Sequence, residues 1–191
     1  MSVRTPDPIP DPDSEPMSRP GPAWLSDIEL EQARRHLPIL YVEAVPVRVD
    51  GIGRVIEVGM LLRANVVGEM TRTLVSGRVL YGETIRDALF RHLEKDLGPM
   101  AFPQLPPSPV PFQVAEYFPL PGITVFTDDR QHAVSLVYVV PVTGTCDPRQ
   151  DALELTWMTP EEAASDAVSA EMEGGRGVLI RAALASVGRL G

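Results

Sequence analysis

Between positions 84 and 98 apolar side chains return every fourth residue. Ile85, Leu89, Leu93 and Leu97 are separated by charged and polar positions. That period predicts an amphipathic helix with one stripe turned to a core. Thr84 with Asp87 three residues on has capping-box spacing, in which each side chain answers a free amide of the first turn. Gly98 followed by Pro99 stops the helix. Upstream, the pattern predicts a strand ending in a glycine turn at Ser76-Gly77-Arg78, then a second turn at Gly82.

The rest of the chain alternates β-rich runs with turn signals. A second capping box, Ser26 with Glu29, opens a helix over residues 23–37 that Pro38 ends. Trp24 and Leu25 are placed to staple that helix, and His36 is placed to cap its last turn. Residues 41–50 and 54–64 read as two strands joined by the hairpin turn Asp50-Gly51-Ile52-Gly53. A strand follows those glycines, so their GxG is no dinucleotide fingerprint. Residues 69–75 lead into the next loop, and residues 100–111 form a proline-rich loop. Residues 112–118 read as a strand closed by the turn Pro119-Leu120-Pro121-Gly122. The apolar run HAVSLVYVVPV at 132–142 predicts a central strand buried on both faces. A late strand in LELTWMTP precedes a helix opened by Glu161 and Glu162. Gly174-Gly175 then breaks the chain before a last helix over 177–187, packed by Val178, Leu179, Ala182 and Leu184. No internal repeat is visible. Residues 1–22 alternate proline with polar residues and cannot offset their ordering entropy by burial. They read as a disordered tail on a single domain, 23–191.

Charge narrows the partners. The 191 residues carry a formal net charge of −9. Lys95 is the sole lysine and no basic run occurs, which argues against nucleic-acid or anionic-membrane binding, where phosphate neutralisation dominates. A local pocket for one nucleotide stays compatible with this balance. Cys146 is the sole cysteine, so no internal disulfide forms; it reads as a surface thiol in a turn. The first residues lack the apolar stretch of a signal peptide, and the run at 133–142 is too short to span a bilayer as a helix. A soluble, cytoplasmic protein is expected. GxSxG, GxxxxGK[ST], HExxH and CxxC motifs are absent.

The stretch GRVLYGETIRDALFRHLEKDLG at 77–98 resembles the Nudix box, the signature of the Nudix hydrolase superfamily. Gly77, Glu83, Arg91, Leu93 and Gly98 fall on the family's positions without a gap. His92 stands where the family has the Glu after the arginine, Lys95 and Asp96 where it has paired Glu, and Pro99 where it has an aliphatic. Met60-Leu61-Leu62-Arg63 resembles the strand upstream of the box. Glu154, Trp157 and Glu161-Glu162 resemble the family's closing strand and helix, so the likeness covers about residues 40–188. It implies an α/β fold, a Nudix-type α/β/α sandwich with a mixed β-sheet, and frequent homodimers.

The resemblance also implies chemistry. The family's box glutamates hold Mg²⁺ or Mn²⁺ against a substrate diphosphate, since hard cations want oxygen ligands. His92, Lys95 and Asp96 share one helix face, so here one imidazole, one ammonium and one carboxylate replace that cage. No cofactor is then firmly implied; Mg²⁺ or Mn²⁺ would meet an atypical set of His92, Asp96, Glu83 and Glu154. Glu83, Arg91 and Asp96 are the catalytic candidates, Arg91 bracing the box through Glu83 or Asp87. Arg63, Arg78 and Lys95 are the substrate-binding candidates, with Lys95 able to lie against a diphosphate as a point charge. Three functions stay open: binding of a nucleotide or nucleoside-diphosphate-linked metabolite with absent or strongly weakened hydrolysis, an active metal-dependent pyrophosphohydrolase, and a protein-interaction scaffold.

Overall fold

The computed structural model describes residues 25–65, 68–148 and 153–188. The expected disordered tail and Trp24 lie outside them. In chain order the elements are α1 (Asp27–His36), β1 (Ile39–Val49), β2 (Val55–Ala64), β3 (Met70–Thr73), β4 (Val75–Arg78), α2 (Ile85–Leu97), β5 (Ala101–Pro103), β6 (Gln113–Tyr117), β7 (Ala133–Gly144), β8 (Glu154–Met158), α3 (Pro160–Ala163), α4 (Asp166–Glu171) and α5 (Gly177–Ser186).

Two long apolar strands, β1 and β7, lie side by side in parallel, from Ile39 opposite Ala133 to Val47 opposite Pro141. Each carries two shorter antiparallel partners. Tyr41–Ala44 of β1 pair with β4, and Val47–Val49 pair with β2. β6 and β5 pair in the same way with the two halves of β7, while β3 and β8 pair with β2. The sheet is therefore mixed, with eight strands.

Strand alternation sends side chains to two cores. Val42, Ala44, Leu61 and Val75 meet Leu89, Leu93 and Leu97 of α2 on one face. Val45, Val47, Val58 and Met60 meet Leu179, Ile180 and Leu184 of α5 on the other. Helices on both faces of a mixed sheet make the expected α/β/α sandwich. Among the described residues no helix is long and apolar enough to cross a membrane.

Several local readings change. The stretch at 69–75 holds strand β3 and the start of β4. Ser76-Gly77-Arg78 is paired β4 strand rather than a turn; Gly77 pairs with Val42. Leu25, expected to staple α1, is 46% exposed, and Leu30 is the residue that α1 buries. The helix after β8 is two helices, because Ser165 caps a new one by accepting from the Val168 amide. In α5 the buried stripe is Leu179, Ile180, Ala183 and Leu184, which leaves Val178 at the surface and Ala182 half-buried. Cys146 is half-buried against the α2-side core, and burial pushes its thiol pKa up.

Candidate functional site: a cationic cleft at the box

The cleft is set by how the chain enters and leaves α2. Thr84 caps the helix by accepting from the Asp87 amide at 3.1 Å, and its hydroxyl donates to Asp87 Oδ2 at 2.7 Å. Of the expected reciprocal box only the threonine half is made with the backbone. Gly82 takes the left-handed conformation in the loop before it, with φ +74°. Glu83 ties this loop down. Its carboxylate accepts from Arg91 Nε and Nη2, both at 2.7 Å, and from the Leu80 amide at 3.0 Å. The Arg91 hydrogen bond holds the Glu83 carboxyl below the usual carboxylate range, against an opposing push from burial. Arg91 Nη2 also donates to the Arg78 carbonyl at 2.9 Å, so loop, strand β4 and helix are braced at one point.

His92 is seated on the backbone of Gly77. A Cβ at that glycine would overlap the imidazole ring, which is why the strand needs glycine there although its φ is ordinary. His92 Nε2 lies 3.0 Å from the Arg78 carbonyl, an acceptor that only an N–H can satisfy, so Nε2 carries the proton. Nδ1 is buried and has no hydrogen-bond partner among the described residues. Desolvation lowers the His92 pKa, and Arg91 and Lys95 lower it further, so the ring is neutral.

Asp96, one turn on, is fully buried. Arg63 Nη2 from β2 lies 2.7 Å from its Oδ2, and Lys95 Nζ lies 3.6 Å from Oδ1. Neither contact is aligned: among the described residues, both Asp96 oxygens and the Arg63 Nε and Nη2 lack a directed hydrogen bond. Glu154 lies elsewhere. Its neighbours Leu155 and Trp157 pack on the α2-side core, so period-two alternation turns Glu154 to the opposite face, where Thr156 Oγ1 donates to it at 3.2 Å.

These groups surround a cleft of about 540 Å³ lined by Arg63, Arg78, Arg91, Lys95 and Arg130 with Tyr41, Ser76, Gly77 and His92. The volume suits a small organic ligand. Five of the lining side chains are cations and none is a carboxylate. The structure thus brings together Glu83, Arg91, His92, Lys95, Asp96, Arg63 and Arg78, and leaves Glu154 apart.

The family implies a divalent ion, and the donor set here does not fit one. Among the described residues no group of three or more His, Cys, Asp or Glu side chains is placed to hold a metal. Glu83 is committed to Arg91, His92 turns its N–H to a carbonyl, and Asp96 faces two cations.

Sequence reasoning missed Arg130, Tyr41 and Ser76 in the lining. Arg130 follows Asp128-Asp129 in a connection that carries no period, so nothing marked it. It also missed a buried cluster on the other face. Glu43, 1% exposed, accepts from Tyr117 Oη at 2.8 Å and from Arg176 Nε at 2.6 Å. Burial, then Glu43, pushes the Tyr117 hydroxyl pKa far up; burial opposes the charge on Arg176, but Glu43 and Tyr117 outweigh it. A lone acid inside YVEAVPV was the available signal.

Residues 20–189 match the family model described as a domain of unknown function, DUF4916. No curated protein matches the chain. A crystal structure from Jonesia denitrificans, described as a possible asymmetric diadenosine tetraphosphate (Ap4A) hydrolase, is 63% identical, with a TM-score of 0.79 over 82% of this chain and 98% of that one. A NUDIX hydrolase from Nitrosomonas europaea shares the fold at 13% identity and a TM-score of 0.59, covering 80% of this chain and 92% of its own. The NUDIX domain of Shewanella oneidensis NrtR, complexed with ADP ribose, does so at 14% identity and 0.54, covering 78% and 91%. The family model spans most of the chain, which therefore belongs to the DUF4916 family and has the fold of the Nudix hydrolases.

Proposed function

We propose that this chain binds a nucleotide or nucleoside-diphosphate-linked metabolite without a protein-held metal ion, and that its pyrophosphohydrolase activity is absent or strongly weakened. The observation that carries this reading is the cleft lining, in which every charged side chain is a cation and none is a carboxylate. Three carboxylates are ion-paired to lining cations, Asp96, Glu83 and Asp128, against five cations, a formal excess of two positive charges. A dianionic diphosphate bridge would balance that excess, and charge-assisted hydrogen bonds from arginine and lysine would hold it. The residues present would bind and orient such a bridge. None is placed to activate water: both Glu83 oxygens are taken up by Arg91 and the Leu80 amide, which lowers their basicity, and the basic nitrogen of His92, Nδ1, is buried.

Calorimetric titration with ADP-ribose in EDTA tests this reading. Binding should persist without metal, and Lys95→Glu should weaken it about tenfold or more by replacing attraction with repulsion. Binding that appears only with added Mg²⁺ or Mn²⁺ would sink the proposal.

A second reading is an active hydrolase of a dinucleoside polyphosphate. The likeness to the Jonesia denitrificans protein, described as a possible Ap4A hydrolase, favours it. It requires Asp96 to leave Arg63 and Lys95 and join other donors. Phosphate or nucleotide release from Ap4A with Mg²⁺, Mn²⁺ or Zn²⁺ would establish this reading instead.

A further inference from the structure

One wall of the cleft does not come from the box. Arg130 lies in the connection between β6 and β7, and with Tyr41 and Ser76 it lines both the cleft and a smaller cavity of about 40 Å³ behind it. Its guanidinium is no loose surface charge. Asp128 grips it side-on, with Nε 2.8 Å from Oδ1 and Nη2 2.9 Å from Oδ2, a two-pronged geometry that fixes the plane of the group. Asp128 is fixed in turn. Its Oδ1 accepts from the Arg130 amide at 3.1 Å and its Oδ2 from Gln131 Nε2 at 2.9 Å.

Gln131 is 2% exposed and anchors the assembly. Its Nε2 also donates to the Tyr41 hydroxyl at 2.9 Å, and its Oε1 accepts from Arg34 Nε of α1 at 2.9 Å. A continuous chain thus runs from α1 through Gln131 and Asp128 to Arg130. It leaves Arg130 Nη1 with no hydrogen-bond partner among the described residues, on a side chain that is 57% exposed in the cleft wall.

Two features decide what such an arginine is for. An exposed arginine ordinarily gives up rotamer freedom when it is ordered on a ligand, and here the Asp128 fork has already ordered it. Asp128 also cancels most of its charge. A residue placed to raise positive potential would not carry its own counter-ion; a residue placed to aim hydrogen bonds would. Resting on the binding reading above, we infer that Arg130 is a recognition residue that donates directed hydrogen bonds through Nη1 to a phosphoryl oxygen of the bound diphosphate. Asp128, Gln131 and Arg34 are its positioning residues.

The two explanations of Arg130 give opposite signs in one experiment: titration of the full chain with ADP-ribose in EDTA, for wild type, Arg130→Lys, Asp128→Asn and Arg34→Ala. Arg130→Lys keeps the charge and loses the fork, and should bind about tenfold more weakly. Asp128→Asn makes the cleft more positive, yet it should bind more weakly too, because the guanidinium is released. Arg34→Ala, remote from the cleft, should weaken binding about two- to threefold with a larger entropic penalty. Tighter binding by Asp128→Asn, or unchanged binding by Arg130→Lys, overturns the inference. If those variants bind like wild type while Lys95→Glu does not, the inference falls and the binding reading stands. If wild type itself fails to bind without metal, the reading falls and this inference with it.

Discussion

The two faces of the sheet each hold a carboxylate between two partners, and they treat it in opposite ways. On the α5 side, Glu43 accepts one directed hydrogen bond on each oxygen, from Arg176 and from Tyr117, and the Arg176 guanidinium lies 4.8 Å over the Tyr117 ring. On the α2 side, Asp96 lies as deep, with Arg63 and Lys95 beside it, and neither oxygen has an aligned donor among the described residues. A buried polar group without directed partners is costly, so a fold keeps one only where something else is gained. Glu43 joins β1, β6 and the start of α5 into one unit. Asp96 sits under a cleft and sets how much positive charge its floor presents. On the binding reading proposed above, the first cluster serves stability and the second serves the ligand at stability's expense.

The sharpest way to break this contrast is Glu43→Gln. It strands Arg176, whose side chain is 14% exposed, as an unpaired charge in the interior. Removing one partner of such a pair costs about 3–5 kcal/mol. Urea titration should show a loss of that order, while the folded fraction still binds ADP-ribose as wild type does. A loss under about 1 kcal/mol would mean that the two faces do not differ in kind.

A smaller effect should come from His92, and it has a pH signature. Its folded pKa is lowered from 6.5, so the unfolded chain takes up this proton first as the pH falls. Stability therefore declines below about pH 6.5 and keeps declining until the folded ring titrates. Each unit of displacement is worth about 1.4 kcal/mol. Glu83 acts lower down. Its folded pKa is depressed below 4.5, so its contribution is full above that value and is lost as the pH falls through the folded pKa. His92→Gln should flatten the limb between about pH 6.5 and 4.5 and leave the lower limb in place. Unfolding free energies measured across that range decide it; an unchanged upper limb would show that the ring is protonated in the folded state.

His92 also marks where the sequence could be read and where it could not. Helix α2, its Thr84 cap and its Gly98 stop were legible because they are local, depending on spacing within one turn. The central strand β7 was legible because twelve residues with hardly a charge leave little else to be. The glycine turn at Gly77 was misread because the reason for that glycine is an imidazole fifteen positions on, across a strand–helix contact. Glu154 was placed with the box because a strand's face cannot be assigned until one residue on it is pinned; Trp157 packing on the α2-side core pins it the other way. Arg130 had no pattern at all. Its meaning lies in Asp128, Gln131 and Arg34, and Arg34 is 97 positions from Gln131.

The smallest effect on stability, and the one that sharpens the comparison most, is expected from Asp96→Asn. Arg63 and Lys95 keep 19% and 30% of their side-chain exposure, so water can take over much of what the carboxylate did for them. The loss should be about 1 kcal/mol, because no directed hydrogen bond is broken. Binding should move the other way. The floor gains a net positive charge, and a dianionic ligand in EDTA should bind several-fold more tightly, with a steeper loss of affinity as salt is raised. Glu43→Gln would thus lower stability with binding intact, and Asp96→Asn would raise affinity at little cost in stability. If Asp96→Asn instead destabilised the fold as much as Glu43→Gln and left binding unmoved, both carboxylates would be plain structural counter-ions and the cleft would owe nothing to the one beneath it.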